Sequence, residues 1–189
     1  MTWEARMTRG LLWVSVVAWG VLLGGKLFDH VVLVAAWSAN PPDSLSLLPY
    51  GARYPVDTGD YFFPSSVALL LCSFGFFVSG WRTPLQYRLC LFVPPLMLLV
   101  ILAFTVGWFW PANAALWHVA EGAPDAMQDL REITSLVQQW LWFDRIRILA
   151  GLIAFLLCIR AISVPFPRSR NRDIAQRADE AARPERKFA

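Results

Sequence analysis

Long apolar runs alternate along the chain with short polar stretches, at a period far longer than a strand or a surface helix produces. Four runs, residues 11–37, 64–81, 89–110 and 140–163, are long and apolar enough to be read as membrane-crossing helices. A crossing needs about 20 mostly apolar residues in a helix, because hydrocarbon offers no partner to a free backbone N–H or C=O. The pattern predicts an all-α fold: a four-helix transmembrane bundle over residues 1–164, followed by a polar, Arg-rich tail over 165–189.

The connections differ in kind. Residues 38–63 form a long outer loop punctuated by Pro41, Pro42, Pro49 and Pro55, with Tyr50, Tyr54, Tyr61, Phe62 and Phe63 crowded into it. Aromatics at that density suit a membrane interface and predict a lid folded over the bundle. Pro124 followed by Asp125 reads as a helix start, so residues 125–139 become a helical extension running into the fourth span. Residues 171–182 of the tail read either as disordered or as a short surface helix. Gly20 and Gly24, with Gly25 beside them, allow close approach of another helix. Pro94 and Pro95 either bend the third span or mark its first turn.

Composition narrows the class. With 57% hydrophobic and 16% charged residues, ten Trp and thirteen Phe, the chain carries too much apolar surface to stay disordered. The net charge of +3 reflects a basic tail and gives no support to nucleic-acid binding. The first apolar run is far longer than a signal-peptide core of about 7–15 residues, and so reads as a retained helix. Cys72, Cys90 and Cys158 lie within apolar runs and read as buried small hydrophobes. Twelve Lys and Arg fall at the termini and in the second loop, against Arg53 and Arg131 in the other two loops. The positive-inside rule then puts both termini in the cytoplasm, as in a bacterial inner membrane.

The candidate chemistry lies in ionisable residues inside the apolar runs. Lys26, Asp29 and His30 share one face of the first span, and Asp144 and Arg147 one face of the fourth, with Arg145 between them. Counted inward from Trp37 and Trp140, the two groups meet at one level. Charges at the bilayer centre cost about 2.5–3.5 kcal/mol each on insertion scales, so such groups face a protein interior or a wet cavity. Three cations against two anions leave one positive charge for Asp57, Asp60, Glu121 or an acidic ligand to balance. Two other accounts stand beside a ligand site: ion pairs that lock the first and fourth helices together, or a shifted register that lets these groups snorkel to the headgroups. His30 with His118 and Glu121 is a weaker metal-ligating alternative, His118 and Glu121 sharing one helical turn; the primary reading has no metal. No G-x-S-x-G, Walker or Cys-rich motif is present.

Residues 111–116, with Pro111, Asn113 and Leu116, and then Trp140, Trp142, Asp144 and Arg147, resemble the anthrone-oxygenase-like family of small four-span membrane proteins. That family has a P-x-N-x-x-L segment after the third span and W-x-x-N-x-x-R opening the fourth. Asp144 stands near the expected Asn. The first span, with Asp29 and His30 before a W-x-x-x-P-P loop, is also similar to some members. The resemblance implies the bundle architecture and, for some members, oxidation of anthrones to anthraquinones by dioxygen. It implies His30 or Asp29 as the base, Arg147 and Lys26 as stabilisers of an oxyanion, and Asn113, Trp140 and Asp144 as substrate-binding groups. The partners expected are membrane lipid and a lipophilic aromatic molecule. No cofactor is assigned. The competing readings are a non-catalytic accessory or scaffold subunit in a homodimer or larger membrane complex, and, with less support from four spans without a repeat, a transporter.

Overall fold

The computed structural model describes residues 3–50 and 58–167. The tail helix expected over 171–182, Asp57 and the middle of the first outer loop lie outside the described residues. Among the described residues all regular structure is helical, and four helices are long and apolar enough to cross a membrane: Trp3–Trp37, Thr58–Gly80, Leu85–Glu121 and Leu130–Ser163. The chain is an all-α, multi-pass membrane protein. The first crossing helix comprises α1 (Trp3–Phe28), a π-helical segment (Asp29–Val34) and α2 (Ala35–Trp37). The second is α3 (Thr58–Gly80). The third joins α4 (Leu85–Phe104), a second π-helical segment (Thr105–Phe109) and α5 (Trp110–Glu121), and the fourth is α6 (Leu130–Ser163). Neighbouring helices pack as a ring in the order α1, α3, α4, α6.

Several boundaries differ from those the hydropathy predicts. Tyr61, Phe62 and Phe63, expected in the outer loop, belong to α3, which starts at Thr58. The third helix runs past Trp110, with Pro111 in the first turn of α5 directly after the second π-helical segment. Pro94 and Pro95 sit within α4 and not in its first turn. The last helix starts at Leu130, not at Pro124–Asp125, because Asp129 caps it by accepting from the Arg131 N–H at 2.8 Å. Upstream, α5 is closed by Gly122 in the left-handed region, φ 67°, with the Ala123 N–H on the His118 carbonyl at 2.9 Å. Of the glycines of α1, Gly20 faces Phe155 and Gly25 admits the Tyr61 ring so closely that a Cβ would lie 2.2 Å from it, whereas Gly24, the second member of the expected pair, faces open space.

Three of the four crossing helices hold 34–37 residues, some 15 more than a bilayer needs. The excess builds a cap on the end away from the termini. Apart from Leu130 at the outer tip of α6, exposed large apolar side chains on the crossing helices extend at that end to Val32, Tyr61, Trp110 and Trp142. Beyond this rim Arg131, Glu132, Gln138 and Gln139 face outward. The cap has its own core, in which Val34, Trp37, Leu45, Leu48, Phe109, Leu116, Val137 and Trp140 are almost fully buried. Residues 38–50 form a strap across it, with a short 3₁₀ helix (Asp43–Leu47) that inserts Leu45 while Leu48 and Tyr50 follow. The expected lid is thus, in its described part, a packed component of the cap.

Candidate functional site

The ionisable residues of the first and last helices come together just beneath that rim. At 1.5 Å per residue, Asp144 lies about 3 Å below Trp142, Asp29 about 4.5 Å below Val32, and Lys26 and Arg147 up to about 9 Å below. The side chains point inward: Asp144 is fully buried and Asp29 is 3% exposed. The shifted-register account, in which they reach the headgroups, does not describe the molecule.

Asp144 is the hub. One carboxylate oxygen accepts from Arg147 at 2.6 Å and Lys26 at 2.9 Å, and the other meets His30 Nδ1 at 2.8 Å. Lys26 also bridges to Asp29 at 2.5 Å, and the remaining Asp29 oxygen accepts the Tyr50 hydroxyl at 2.7 Å. Lys26 and Asp29 reach one another as an i, i+3 pair, as do Asp144 and Arg147. The π-helical turn that begins at Asp29 adds a residue per turn, and with it Asp29 and His30 both aim at α6 and the strap; π segments recur at functional sites for this reason. The second π segment supplies Thr105, whose hydroxyl accepts from Arg147 at 3.2 Å, and Phe109, whose ring centre lies 3.2 Å from the guanidinium carbon.

Charge balance differs from the sequence expectation of a surplus cation. Arg145 is exposed on the outside of α6, since residues i and i+1 of a helix point about 100° apart. Lys26 and Arg147 then face Asp29 and Asp144, and with a neutral imidazole the cluster carries no net charge. Asp60 and Glu121, considered as balancing anions, are exposed elsewhere.

Aromatic rings wall the cluster. Trp140 stands edge-on to Trp37 at 5.0 Å and to Phe109 at 5.2 Å, and stacks with Tyr50 at 5.7 Å between ring centres. Its indole N–H donates to Asn113 Oδ1 at 2.8 Å, which ties α6 to α5. Asn113 thus acts on Trp140; Trp142, the alternative Trp of the motif, is 61% exposed on the lipid side. Tyr50 lies outside the crossing helices, and burial, followed by the adjacent Asp29 carboxylate, pushes its phenol well above the ordinary tyrosine range. It remains a protonated donor at physiological pH.

The metal alternative is not assembled. His118 lies on the exposed side of α5, 3.7 Å from Asp125 with both side chains more than half exposed, while Asp144 holds His30. Among the described residues no three His, Cys, Asp or Glu side chains are placed to hold one metal ion. A small crevice lies in the other half of the bundle, lined by Ser15, Trp19, Ser73, Phe76, Pro95 and Cys158. Along α1, Trp19 is seven residues, or about 10 Å, from Lys26.

Sequence reasoning found the five ionisable residues and missed Tyr50, Thr105 and Phe109. Tyr50 was one aromatic among many in a loop, and neither Thr105 nor Phe109 carries a charge or motif to single it out.

No curated protein and no solved structure matches significantly. A family model described as anthrone oxygenase matches residues 53–157, a segment that contributes Thr105, Phe109, Asn113, Trp140, Asp144 and Arg147 to the site. Over more than half its length, therefore, the chain matches that model, and it belongs to the anthrone oxygenase family.

Proposed function

We propose that the protein oxidises a lipophilic, acidic aromatic of the anthrone type, with His30 as the base that removes the proton from the reacting carbon. The observation that carries this reading is the 2.8 Å contact between His30 Nδ1 and the buried Asp144 carboxylate. A carboxylate on Nδ1 fixes the tautomer that keeps the proton there. Nε2, which has no protein partner among the described residues, is then left as the acceptor. The His30 side chain is 21% exposed, whereas Asp29 has both oxygens engaged and is 3% exposed. His30 is therefore the base and Asp29 a support.

Anthrone plus dioxygen gives anthraquinone plus water. The ring methylene loses two protons and four electrons, one oxygen atom becomes the new carbonyl, and the other leaves as water with both protons. Removing the first proton creates an enolate, which is the electron-rich species that dioxygen oxidises. The two cations and two carboxylates balance, so the proton that His30 takes from the substrate gives the cluster a positive charge as the substrate becomes anionic. Lys26 and Arg147 reinforce that field in a site where water does not screen it. Trp140 and Phe109 supply flat apolar walls, and the depth just beneath the rim suits a molecule that partitions into the outer part of the bilayer. In this reading the termini face the cytoplasm of a bacterium and the cap faces outward.

The test is oxygen uptake with anthrone by the purified protein in detergent. H30Q should lower kcat by about 10²-fold or more with the bundle still folded, as expected for loss of a general base. An H30Q rate equal to wild type would remove the assignment.

A second reading, a non-catalytic subunit whose ion pairs clamp two helices, is favoured by the complete pairing of both carboxylates. It predicts that anthrone uptake by the wild type does not exceed the uncatalysed rate.

A further inference from the structure

The carboxylates and aromatic walls of the cluster are buried, with Lys26 and His30 partly exposed, and what covers it is unequal on its two sides. On the membrane side it is bounded by crossing helices of 20 residues or more, packed against one another along the bundle, which part only if the bundle opens. On the cap side it is covered by the strap. Past Ser38, the backbone hydrogen bonds among the strap's described residues stay within it: Ser44 to Asn40, Leu45 to Pro42 and Leu48 to Leu45. Two side-chain bonds tether it to the first crossing helix. Ser44 donates to the Trp37 carbonyl at 2.7 Å near the strap's start, and Tyr50 donates to Asp29 at 2.7 Å at its far end. Of these two, the Tyr50 bond alone reaches a charged group of the cluster, and the Tyr50 ring lies against both Trp37 and Trp140.

We propose that Tyr50 is the latch of a gate: residues 38–50 swing away from the cap core to uncover Asp29, Trp37 and Trp140, and the bond from Tyr50 to Asp29 holds them shut. The inference rests on the site described above being one that a ligand must enter. A flat three-ring molecule reaches buried walls only if a cover moves, and the strap is the cover that moves without breaking helical hydrogen bonds. Closing it restores a hydrogen bond to a carboxylate and seals Leu45 and Leu48 in the apolar core. The site therefore spends most of its time shut and dry, which suits an enolate that water would otherwise reprotonate.

The experiment reads exposure rather than turnover, so a failed gate and a failed base assignment are distinguishable. L48C places a thiol on the fully buried underside of the strap, and the native Cys158, 1% exposed in the opposite half of the bundle, is the internal reference. Purified protein in detergent is treated with a polar maleimide, and labelling at each thiol is followed by mass spectrometry. Adding Y50F should raise the labelling rate at position 48 roughly tenfold or more, the effect of losing one hydrogen bond to a charged group, with Cys158 unchanged. D29N weakens the same bond from the other side and should act in the same direction. If Y50F and D29N both leave labelling at position 48 unaltered, Tyr50 is not the latch. If labelling rises equally at Cys158, the bond holds the whole bundle together and the gate is overturned.

Discussion

The two halves of this bundle are held together by different chemistry. In the half near the termini, α1 meets α3 through Leu12, Cys72 and Phe76, and through one buried side-chain hydrogen bond, Thr8 to Ser79 at 2.8 Å. Small residues do much of the work there: Gly75 lets Leu11 approach, Gly80 admits Leu91, and Ala154 and Ala161 let other helices lie close to α6. In the other half the same helices converge on two carboxylates, two cations and an imidazole. The first half shows that a four-helix bundle of this composition closes without charge. Burying ions instead costs several kcal/mol of desolvation per ion, offset only if geometry and hydrogen bonding are complete. The charged junction is thus more than the fold requires, which is the physical reason for looking for chemistry there.

The sharpest way to break this comparison is to remove a polar hub in each half. D144A leaves Lys26 and Arg147 buried without their shared counter-ion and should cost about 3–5 kcal/mol. T8V, which removes the buried hydroxyl bond of the other half, should cost about 1 kcal/mol. Thermal unfolding in one detergent should therefore show a far larger loss for D144A. Equal losses would mean that the two halves do not differ in kind.

A smaller effect probes how the cluster is shared. Lys26 and Asp29 were legible together from their i, i+3 spacing, yet Lys26 spans both carboxylates. In a double-mutant cycle of K26M and D144N, each single change leaves the four charged groups of the cluster with a net charge, while the double change restores their neutrality. The coupling should be about 1–3 kcal/mol and favour the double variant relative to the sum. Additivity within about 0.3 kcal/mol would show that the 2.9 Å contact carries no energy.

W140F keeps an aromatic ring between Trp37 and Phe109 but removes the N–H donated to Asn113. Its cost should be about 1 kcal/mol, and N113L should cost the same with little further loss in the double variant.

The smallest effect is a pH dependence. The Tyr50 phenol is held above its ordinary value, so its contribution to stability is intact below about pH 10, where an unfolded tyrosine titrates, and fades as pH rises beyond that. Wild-type protein should lose stability between pH 10 and 11 more steeply than Y50F, and matching profiles would place Tyr50 in water.

Fold class was legible because hydrocarbon forces long apolar helices, and the ionisable cluster because its members stand out within those runs. Hydropathy could not show that three crossing helices overshoot the bilayer: Val34 and Trp37 read as membrane residues and Leu116 and Val137 as parts of a connection, while all four pack the cap. It also could not show the π turns, which depend on tertiary packing more than on composition, and so it could not bring Thr105 and Phe109 to Arg147. Arg145 was counted with the cluster because adjacent residues on a helix look alike in a list of charges. Its outward direction follows only from which face α6 buries.

The central claim is that a buried carboxylate holds His30 ready to take a proton from an acidic ring carbon. It is tested most directly without dioxygen. Anthrone deuterated at its methylene carbon, incubated anaerobically with the protein in ordinary water, reports proton abstraction alone through loss of deuterium by mass spectrometry. The account predicts wild-type exchange well above the buffer rate and exchange at the buffer rate with H30Q. Wild-type exchange no faster than buffer, or H30Q exchange as fast as wild type, would contradict it.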